Sequence, residues 1–121
     1  MAARASRRRP DQVGELVRQV VAEALLHELR DPRIGLVTVT RVEITPDLSR
    51  ARIGISAHGE PEDADAALAG LRSATGFLRG RVARALATRT TPELVFELDR
   101  GQEHARRIDQ LLAEVREEDD A

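Results

Sequence analysis

Three features of the sequence predict a two-layer α+β domain. Two stretches rich in β-branched residues, 36–45 and 50–57, alternate in polarity and are joined by a short turn, which predicts an antiparallel hairpin. Helix-like apolar spacing precedes and follows this hairpin, and a third strand pattern comes at 94–98. A sheet covered on one face by helices buries both kinds of apolar surface, and 121 residues suffice for one such core.

The first half of the chain is predicted to form one helix and the hairpin. The helix begins near Asp11 and ends around 29–31, because Pro32 disfavours helical backbone before it. Gly35 then permits a sharp turn. In the first strand, alternation predicts that one face carries Leu36, Thr38, Thr40, Val42 and Ile44, and the other Val37, Val39, Arg41 and Glu43. In the second strand, the apolar face is predicted to be Ala51, Ile53, Ile55 and Ala57.

The second half is predicted to hold a broken helix, a strand and a last helix. A helix begins at about Asp63, breaks at 74–76, and ends before 90–92. Its second part is expected to turn inward Leu78, Val82, Ala85 and Leu86. After the strand at 94–98, residues 99–102 resemble a capping box before the last helix. The apolar stripe of that helix is predicted to be Ala105, Ile108, Leu111, Leu112 and Val115.

The composition argues against an enzyme. The chain has no cysteine, and its three histidines, His27, His58 and His104, are scattered without metal-ligand spacing. No serine has a nucleophile context and no glycine-rich loop would cradle a nucleotide. We therefore expect no catalysis, cofactor, metal or small-molecule substrate. No apolar run suits a signal peptide or a membrane span, so we expect a cytoplasmic protein without membrane contact.

Charge is distributed unevenly along the chain, although the net charge is only −2. We expect a disordered basic arm over 1–9, one domain with its C-terminal helix over 10–116, and an acidic tail over 117–121. Between Ala66 and Pro92 there is no acidic residue, and this window carries the arginines Arg72, Arg79, Arg81, Arg84 and Arg89. Every basic residue is arginine, whose planar group matches phosphate in a bidentate way.

Two interpretations of the break and its arginines stay open. The stretch 74–76 is either a plain helix connection, with Gly76 chosen for positive φ, or a place where a restarting helix attracts phosphate. Arg79, Arg81 and Arg84 form either a solvated face or, as the missing acids favour, an RNA contact. Arg72 and Arg89 lie at helix ends, and Arg89, near a C-terminus, could simply complement the dipole. Phe77 is predicted on the arginine side, with burial beneath the break as the alternative, and we do not expect it to stack on a base.

Several short motifs, in register over 13–112, carry a resemblance to a known family. They are Asp31-Pro32-Arg33, Thr38-Val39-Thr40, Asp47-Leu48 with Ala51, Ala74-Thr75-Gly76-Phe77-Leu78-Arg79, Pro92-Glu93-Leu94-Val95-Phe96, and Asp99. Together they resemble the ribosome-binding factor A family of bacterial assembly factors. The resemblance implies a type II KH-like fold, α-β-β-α-(Ala-x-Gly kink)-α-β plus a C-terminal helix, in which the kink is 74–76.

The resemblance also implies a function. Such a protein would bind the free or immature 30S subunit and its 16S rRNA as a monomer and assist late rRNA maturation, particularly in the cold. The residues expected to contact RNA are Arg33, Arg72, Ala74, Thr75, Gly76, Arg79, Arg81, Arg84 and Arg89. For 31–33, a helix stop is the competing interpretation. The competing hypothesis for the whole chain is a KH-like protein-interaction scaffold with no direct RNA contact.

Overall fold

The computed structural model describes residues 9–87, 90–99 and 108–116 of the chain. The elements follow the predicted order, with these bounds: α1 Pro10–His27, β1 Val37–Ile44, β2 Arg50–Ala57, α2 Pro61–Ser73, α3 Thr75–Leu86, β3 Glu93–Leu98 and α4 108–116. The acidic tail, Arg89, Ala105, most of the predicted capping box and all of the basic arm except Arg9 lie outside the described residues.

The three strands form one sheet in the order β1-β2-β3. β1 and β2 are antiparallel, as predicted, while β3 is parallel to β2. A parallel pair needs a crossover connection, and α2 and α3 supply it. α1 packs on β1 and α3, and α2 packs on β2 and β3. The predicted two-layer α+β architecture is confirmed.

The core lies between this helical layer and the sheet. α1 buries about one residue per turn. α3 buries three side chains at spacing i, i+4, i+8, and two of them have no exposed surface. The prediction for Ala85 is wrong, because Ala85 is exposed while Leu86 takes the inward position at the end of α3. The fully enclosed side chains from the two layers include Val17, Val21, Ile53, Ile55, Leu71, Leu78, Val82 and Phe96.

A β-bulge in β1 makes the predicted alternation wrong for its first half. Val39 pairs with Ile55 and Arg41 pairs with Gly54, so Thr40 has no cross-strand partner. The extra residue exchanges the two faces of the strand. Before the bulge, the core side is taken by Val37 and Val39; after it, by Val42 and Ile44. The apolar residues before the bulge and those after it alternate in opposite phase, and both groups therefore face the core.

α4 carries its predicted apolar residues on the outside of the described structure. Ile108, Leu111, Leu112 and Val115 are 44–60% exposed. Gln110 borders a cavity of about 300 Å³ formed with the ends of β2 and β3 and the start of α2. Gln110 therefore lies near the ends of β2 and β3 and beside the start of α2, whereas the break is at the other end of α2.

Candidate nucleic-acid interface

The break between α2 and α3 is a single residue, shorter than the predicted stretch 74–76. Ala74 alone leaves helical geometry, with φ −87° and ψ 1°. Its N–H donates to the carbonyl oxygens of Gly70 and Leu71, both at 3.1 Å, and its own carbonyl accepts from Leu78 N–H at 3.0 Å. The Thr75 hydroxyl donates to Leu71 O at 3.1 Å. The carbonyl groups at the end of α2 are therefore hydrogen-bonded within the break itself, and α3 begins at the next residue, Thr75.

Gly76 is not required for a turn. It lies in the first turn of α3 and is absent from the positive-φ residues, so the interpretation that it was chosen for positive φ is wrong. A Cβ added at Gly76 would meet no atom of the described structure within 4 Å, and the same holds for Gly80 one turn later. Neither glycine is needed for internal packing. Their effect is to leave this side of α3 free of side chains.

The arginines near the break differ in what they contact. Arg72 lies in the last turn of α2 and Arg84 in the last turn of α3; both are exposed, and neither makes a hydrogen bond or ion pair to the described residues. The Arg79 Nη2 donates to the Thr91 carbonyl oxygen at 3.1 Å, which ties α3 to the segment before β3. Arg72 and Arg84 are therefore the cations available to an incoming anion.

Arg81 is engaged within the protein rather than free. Its guanidinium forms an ion pair with Glu28, the residue that follows α1. The same group lies over the Phe77 ring, 5.1 Å from the centroid. Its side chain is only 37% exposed. The helical wheel correctly placed Arg81 outside the apolar stripe, but it could not show that Glu28, distant in sequence, lies opposite.

The turn that follows α1 brings Arg33 beside α2. The Asp31 carboxylate accepts from the Arg33 backbone N–H at 3.0 Å and from its guanidinium at 2.6–3.1 Å. These bonds hold the pKa of Asp31 below its ordinary value. A Cβ added at Gly70 would lie 2.7 Å from Cγ1 of Ile34, so the turn packs directly on α2. Arg33 belongs to the same side of the molecule as α2, although its charge is paired.

A cleft of about 650 Å³ lies between α3 and the β1–β2 turn. One wall is α3, through Gly76, Arg79, Gly80 and Ala83; the opposite wall is 47–49, with 90–91 between them. The sequence predicted the α3 wall only in part, and it missed the hairpin turn altogether. A Pro-Asp-Leu-Ser turn signals a hairpin in any protein, and nothing in it indicates which helix it will face.

Asp47 makes the hairpin turn rigid. Its Oδ1 accepts from the hydroxyls of Thr45 and Ser49, both at 2.7 Å, and from Ser49 N–H at 3.1 Å. These donors lower the pKa of Asp47 to about 2, with the Thr45 hydroxyl contributing most. The next residue, Leu48, adopts φ 62°, in the left-handed region. These bonds all converge on Oδ1 and fix the carboxylate in its own turn, where it stays ionised at neutral pH beside the cleft.

The described part of the chain offers neither a cluster of metal ligands nor a membrane-spanning helix. No group of three histidine, aspartate or glutamate side chains within residues 9–87, 90–99 and 108–116 is arranged to hold a metal ion. Over the same ranges, no helix combines the length and the apolar character needed to cross a bilayer. The basic helix pair and its cleft are the candidate site that the geometry supports.

The fold and this site together define a class. An α-β-β-α-α-β chain with an interrupted basic helix pair is a type II KH-like domain, as the resemblance implied. The ribosome-binding factor A family model matches residues 9–112, and the chain belongs to this family. It is 44% identical over 110 residues to ribosome-binding factor A of Thermomicrobium roseum, covering 91% of this chain and 85% of the relative. The protein of the same name from Rhodopirellula baltica is 42% identical over 113 residues, with 93% and 82% covered.

Solved structures of the same family share the fold. The crystal structure of ribosome-binding factor A from Thermus thermophilus superposes with a TM-score of 0.65 at 28% identity, covering 75% of this chain and 97% of that chain. A homology model of the Thermus thermophilus protein, fitted into a cryo-electron microscopy map of a 30S complex, gives a TM-score of 0.59 at 31% identity. It covers 72% of this chain and 91% of that chain.

Proposed function

We propose that this protein is a non-enzymatic, RNA-binding assembly factor of the small ribosomal subunit. It binds the free or immature 30S particle through 16S rRNA and assists late rRNA maturation, with its greatest effect in the cold. Family membership supports this role, as does the 30S complex of the Thermus thermophilus relative. The observation that carries it is a combination of two features: the exposed Arg72 and Arg84 have no partner among the described residues, and Gly76 and Gly80 keep the neighbouring helix surface open.

The proposed mechanism is docking by phosphate contacts and shape. Exposed arginines at the ends of α2 and α3 neutralise backbone phosphates, and the small residues of α3 allow the strand to approach closely. Arg33 and Arg79 add positive potential at the edges, and Ala74 and Thr75 set the angle between the helices. No bond is made or broken. Binding energy favours one rRNA conformation over its competitors, which is a shift of populations.

Co-sedimentation with separated 30S, 50S and 70S particles at several salt concentrations tests this proposal. We expect salt-sensitive binding to the free 30S particle. The double variant Arg72→Gln with Arg84→Gln should bind about tenfold or more weakly. It should also reduce the slope of the logarithm of the binding constant against the logarithm of the salt concentration by about 1.4 in magnitude. Each phosphate contact on a single strand contributes about 0.7 to that slope.

A matched double variant controls for charge alone. Arg50→Gln with Arg116→Gln also removes two positive charges, one from Arg50 on β2, which forms an exposed ion pair with Glu93, and one from the exposed Arg116 on α4. It should bind nearly as the unaltered protein does. Equal losses of affinity in both double variants would mean that net charge, and not this particular site, determines binding. Salt-insensitive binding of the unaltered protein would favour the protein-interaction scaffold instead.

A further inference from the structure

Phe77 is an aromatic residue that the fold leaves outside. The chain contains only two phenylalanines and no tryptophan or tyrosine. Phe96 is 2% exposed in the core, whereas Phe77 is 45% exposed in the first turn of α3. Its neighbour Leu78 is completely buried and takes the inward position. The core therefore gains little from Phe77, and its ring is presented to the surroundings just beyond the break.

The ring of Phe77 is held in a defined place. Arg81, one turn later, lays its guanidinium over the ring with Cζ 5.1 Å from the centroid. The other partner of that guanidinium is the Glu28 carboxylate at the end of α1. An arginine between an aromatic face and a carboxylate has little freedom to move, so it orients the ring. A surface phenylalanine without such a partner would sample several rotamers.

The surroundings of the ring favour a nucleic acid over a protein as its partner. Gly76 and Gly80 flank Phe77 along α3, and added Cβ atoms there would meet nothing within 4 Å. The exposed cations of the helix pair, Arg72 and Arg84, are unpartnered among the described residues, and no acidic residue occurs from Ala66 to Pro92. An apolar protein partner would need matching apolar surface, whereas this ring is set among arginines and glycines.

We propose that Phe77 is a stacking platform for one unpaired base of the rRNA strand whose phosphates Arg72 and Arg84 bind. Arg81 is a positioning residue, which holds the ring in place and whose positive charge is neutralised by Glu28. This inference rests on the proposed function and adds a base contact to a site otherwise built from phosphate contacts. Stacking tolerates any base, so the platform would add affinity and register without reading sequence.

The absence of tryptophan from the chain allows a direct test. The F77W variant carries a single indole at the proposed platform, and the unaltered protein with the same 30S particles supplies the fluorescence blank. We expect F77W to bind 30S within about threefold of the unaltered protein and its emission to be quenched on binding. F77L keeps apolar bulk but lacks a π-face; its affinity should fall by about 5- to 100-fold with an unchanged salt slope.

The role of Arg81 is tested in the F77W background. Arg81→Gln should weaken the quenching, and Arg81→Lys, which restores a cation between Glu28 and the ring, should recover part of it. A purely structural Arg81 would change thermal stability without changing the quenching. Thermal unfolding of F77L should match that of the unaltered protein, because the ring is outside the core.

The outcomes separate the stacking contact from the proposed function. If the unaltered protein binds 30S and F77L binds equally well, the stacking platform is wrong and 30S binding stands. If F77W emission becomes brighter and shifts to the blue on binding, the ring enters an apolar protein surface and the proposal is overturned in favour of a ribosomal-protein contact. If the unaltered protein does not bind 30S, both proposals fall.

Discussion

Arg41 reaches Glu97 across Gly54, from one edge strand of the sheet to the other. Arg41 pairs with Gly54 on β2, and Gly54 pairs in turn with Glu97 on β3. The Arg41 Nη2 donates to Glu97 Oε1 at 2.8 Å, and this bond is the main cause that holds the pKa of Glu97 below its usual range. Arg52 joins the same carboxylate at 2.9 Å. A glycine in the central strand is what gives the Arg41 side chain room to cross.

Gly54→Ala should therefore destabilise the fold. The added Cβ would lie 2.9 Å from both Arg41 Cγ and Thr40 Oγ1, so both side chains, or the backbone of β2, must move. Overpacking of this kind costs about 1–3 kcal/mol, and the usual gain from replacing a strand glycine offsets about 0.5–1 kcal/mol of it. We expect a net loss of about 1–2 kcal/mol in the free energy of unfolding, measured by urea denaturation.

A double-mutant cycle identifies the cause. If the crossing Arg41 side chain is responsible, Gly54→Ala should cost less in an Arg41→Ala background, because the Cγ atom is then gone. An equal cost in both backgrounds would place the strain at Thr40 or in the backbone.

β1, the strand that carries Arg41, also shows why part of the fold could not be predicted from the sequence. The order of helices and strands and the antiparallel hairpin follow from apolar periodicity and turn residues, and these predictions are confirmed. The parallel pairing of β3 with β2 was not predicted. The bulge at Thr40 leaves no such trace, since β-branched residues occupy both faces of β1 in either phase. The second phase suits packing against α1, which lies on β1: a Cβ added at Gly14 of α1 would lie 3.5 Å from Cγ1 of Ile44. That is a tertiary contact, which a local pattern does not contain.

The candidate site, like the fold, could be predicted from the sequence only in part. The acid-free arginine stretch and the helix break are visible in the sequence, because they are local. The pairing of Arg81 with Glu28 and the approach of the 47–49 turn to α3 depend on how distant segments pack. The sequence therefore predicted which surface is basic, but not which of its arginines are free.

Gly70→Ala should weaken the attachment of the turn that carries Arg33. The added Cβ would lie 2.7 Å from Cγ1 of Ile34, which is 5% exposed and has little space to retreat. The gain in helix propensity, about 1 kcal/mol, should be exceeded by an overpacking cost of about 1–3 kcal/mol. Thermal unfolding should show a lower midpoint than that of the unaltered protein.

Gly80→Ala is the control for this change, since it makes the same substitution in a helix where the Cβ meets open space. If both variants were stabilised equally, Ile34 would have to move freely, and the turn would not be fixed by its packing on α2.

The Asp47 carboxylate should make the hairpin turn sensitive to acid. Its pKa in the folded protein is about 2, against an ordinary value of 3.8, so its contribution to stability is complete above about pH 4. As pH falls from about 4 towards 2, the unfolded state gains a proton before the folded state does, and that contribution is lost. A carboxyl ¹³C titration should place the Asp47 midpoint near 2.

Asp47→Asn provides the comparison, because its amide oxygen can still accept from Thr45 and Ser49 but does not titrate. The difference in unfolding free energy between the two proteins should shrink below pH 4. A difference that stays constant from pH 5 to pH 2 would mean that the hydrogen bonds to Asp47 do not depend on its charge.

Gly80→Ala should separate stability from binding. Gly80 lies inside α3 with ordinary helical backbone, so alanine should raise the free energy of unfolding by about 0.5–1 kcal/mol. The same methyl group enters the wall of the cleft, where the proposed RNA backbone approaches. We therefore expect a more stable protein that binds 30S more weakly, measured by thermal unfolding and co-sedimentation. Gly76→Ala should act in the same direction, with a smaller gain in stability because it lies in the first turn.

Ala85→Gly is the matched reverse change on α3. Ala85 is exposed and does not line the cleft, so its removal should cost about 0.5–1 kcal/mol of stability while leaving 30S binding intact. If Gly80→Ala bound as well as the unaltered protein, the open side of α3 would not be the surface that RNA approaches. A more stable Gly80→Ala variant that binds weakly, beside a less stable Ala85→Gly variant that binds normally, would instead locate the contact on the glycine side of this helix.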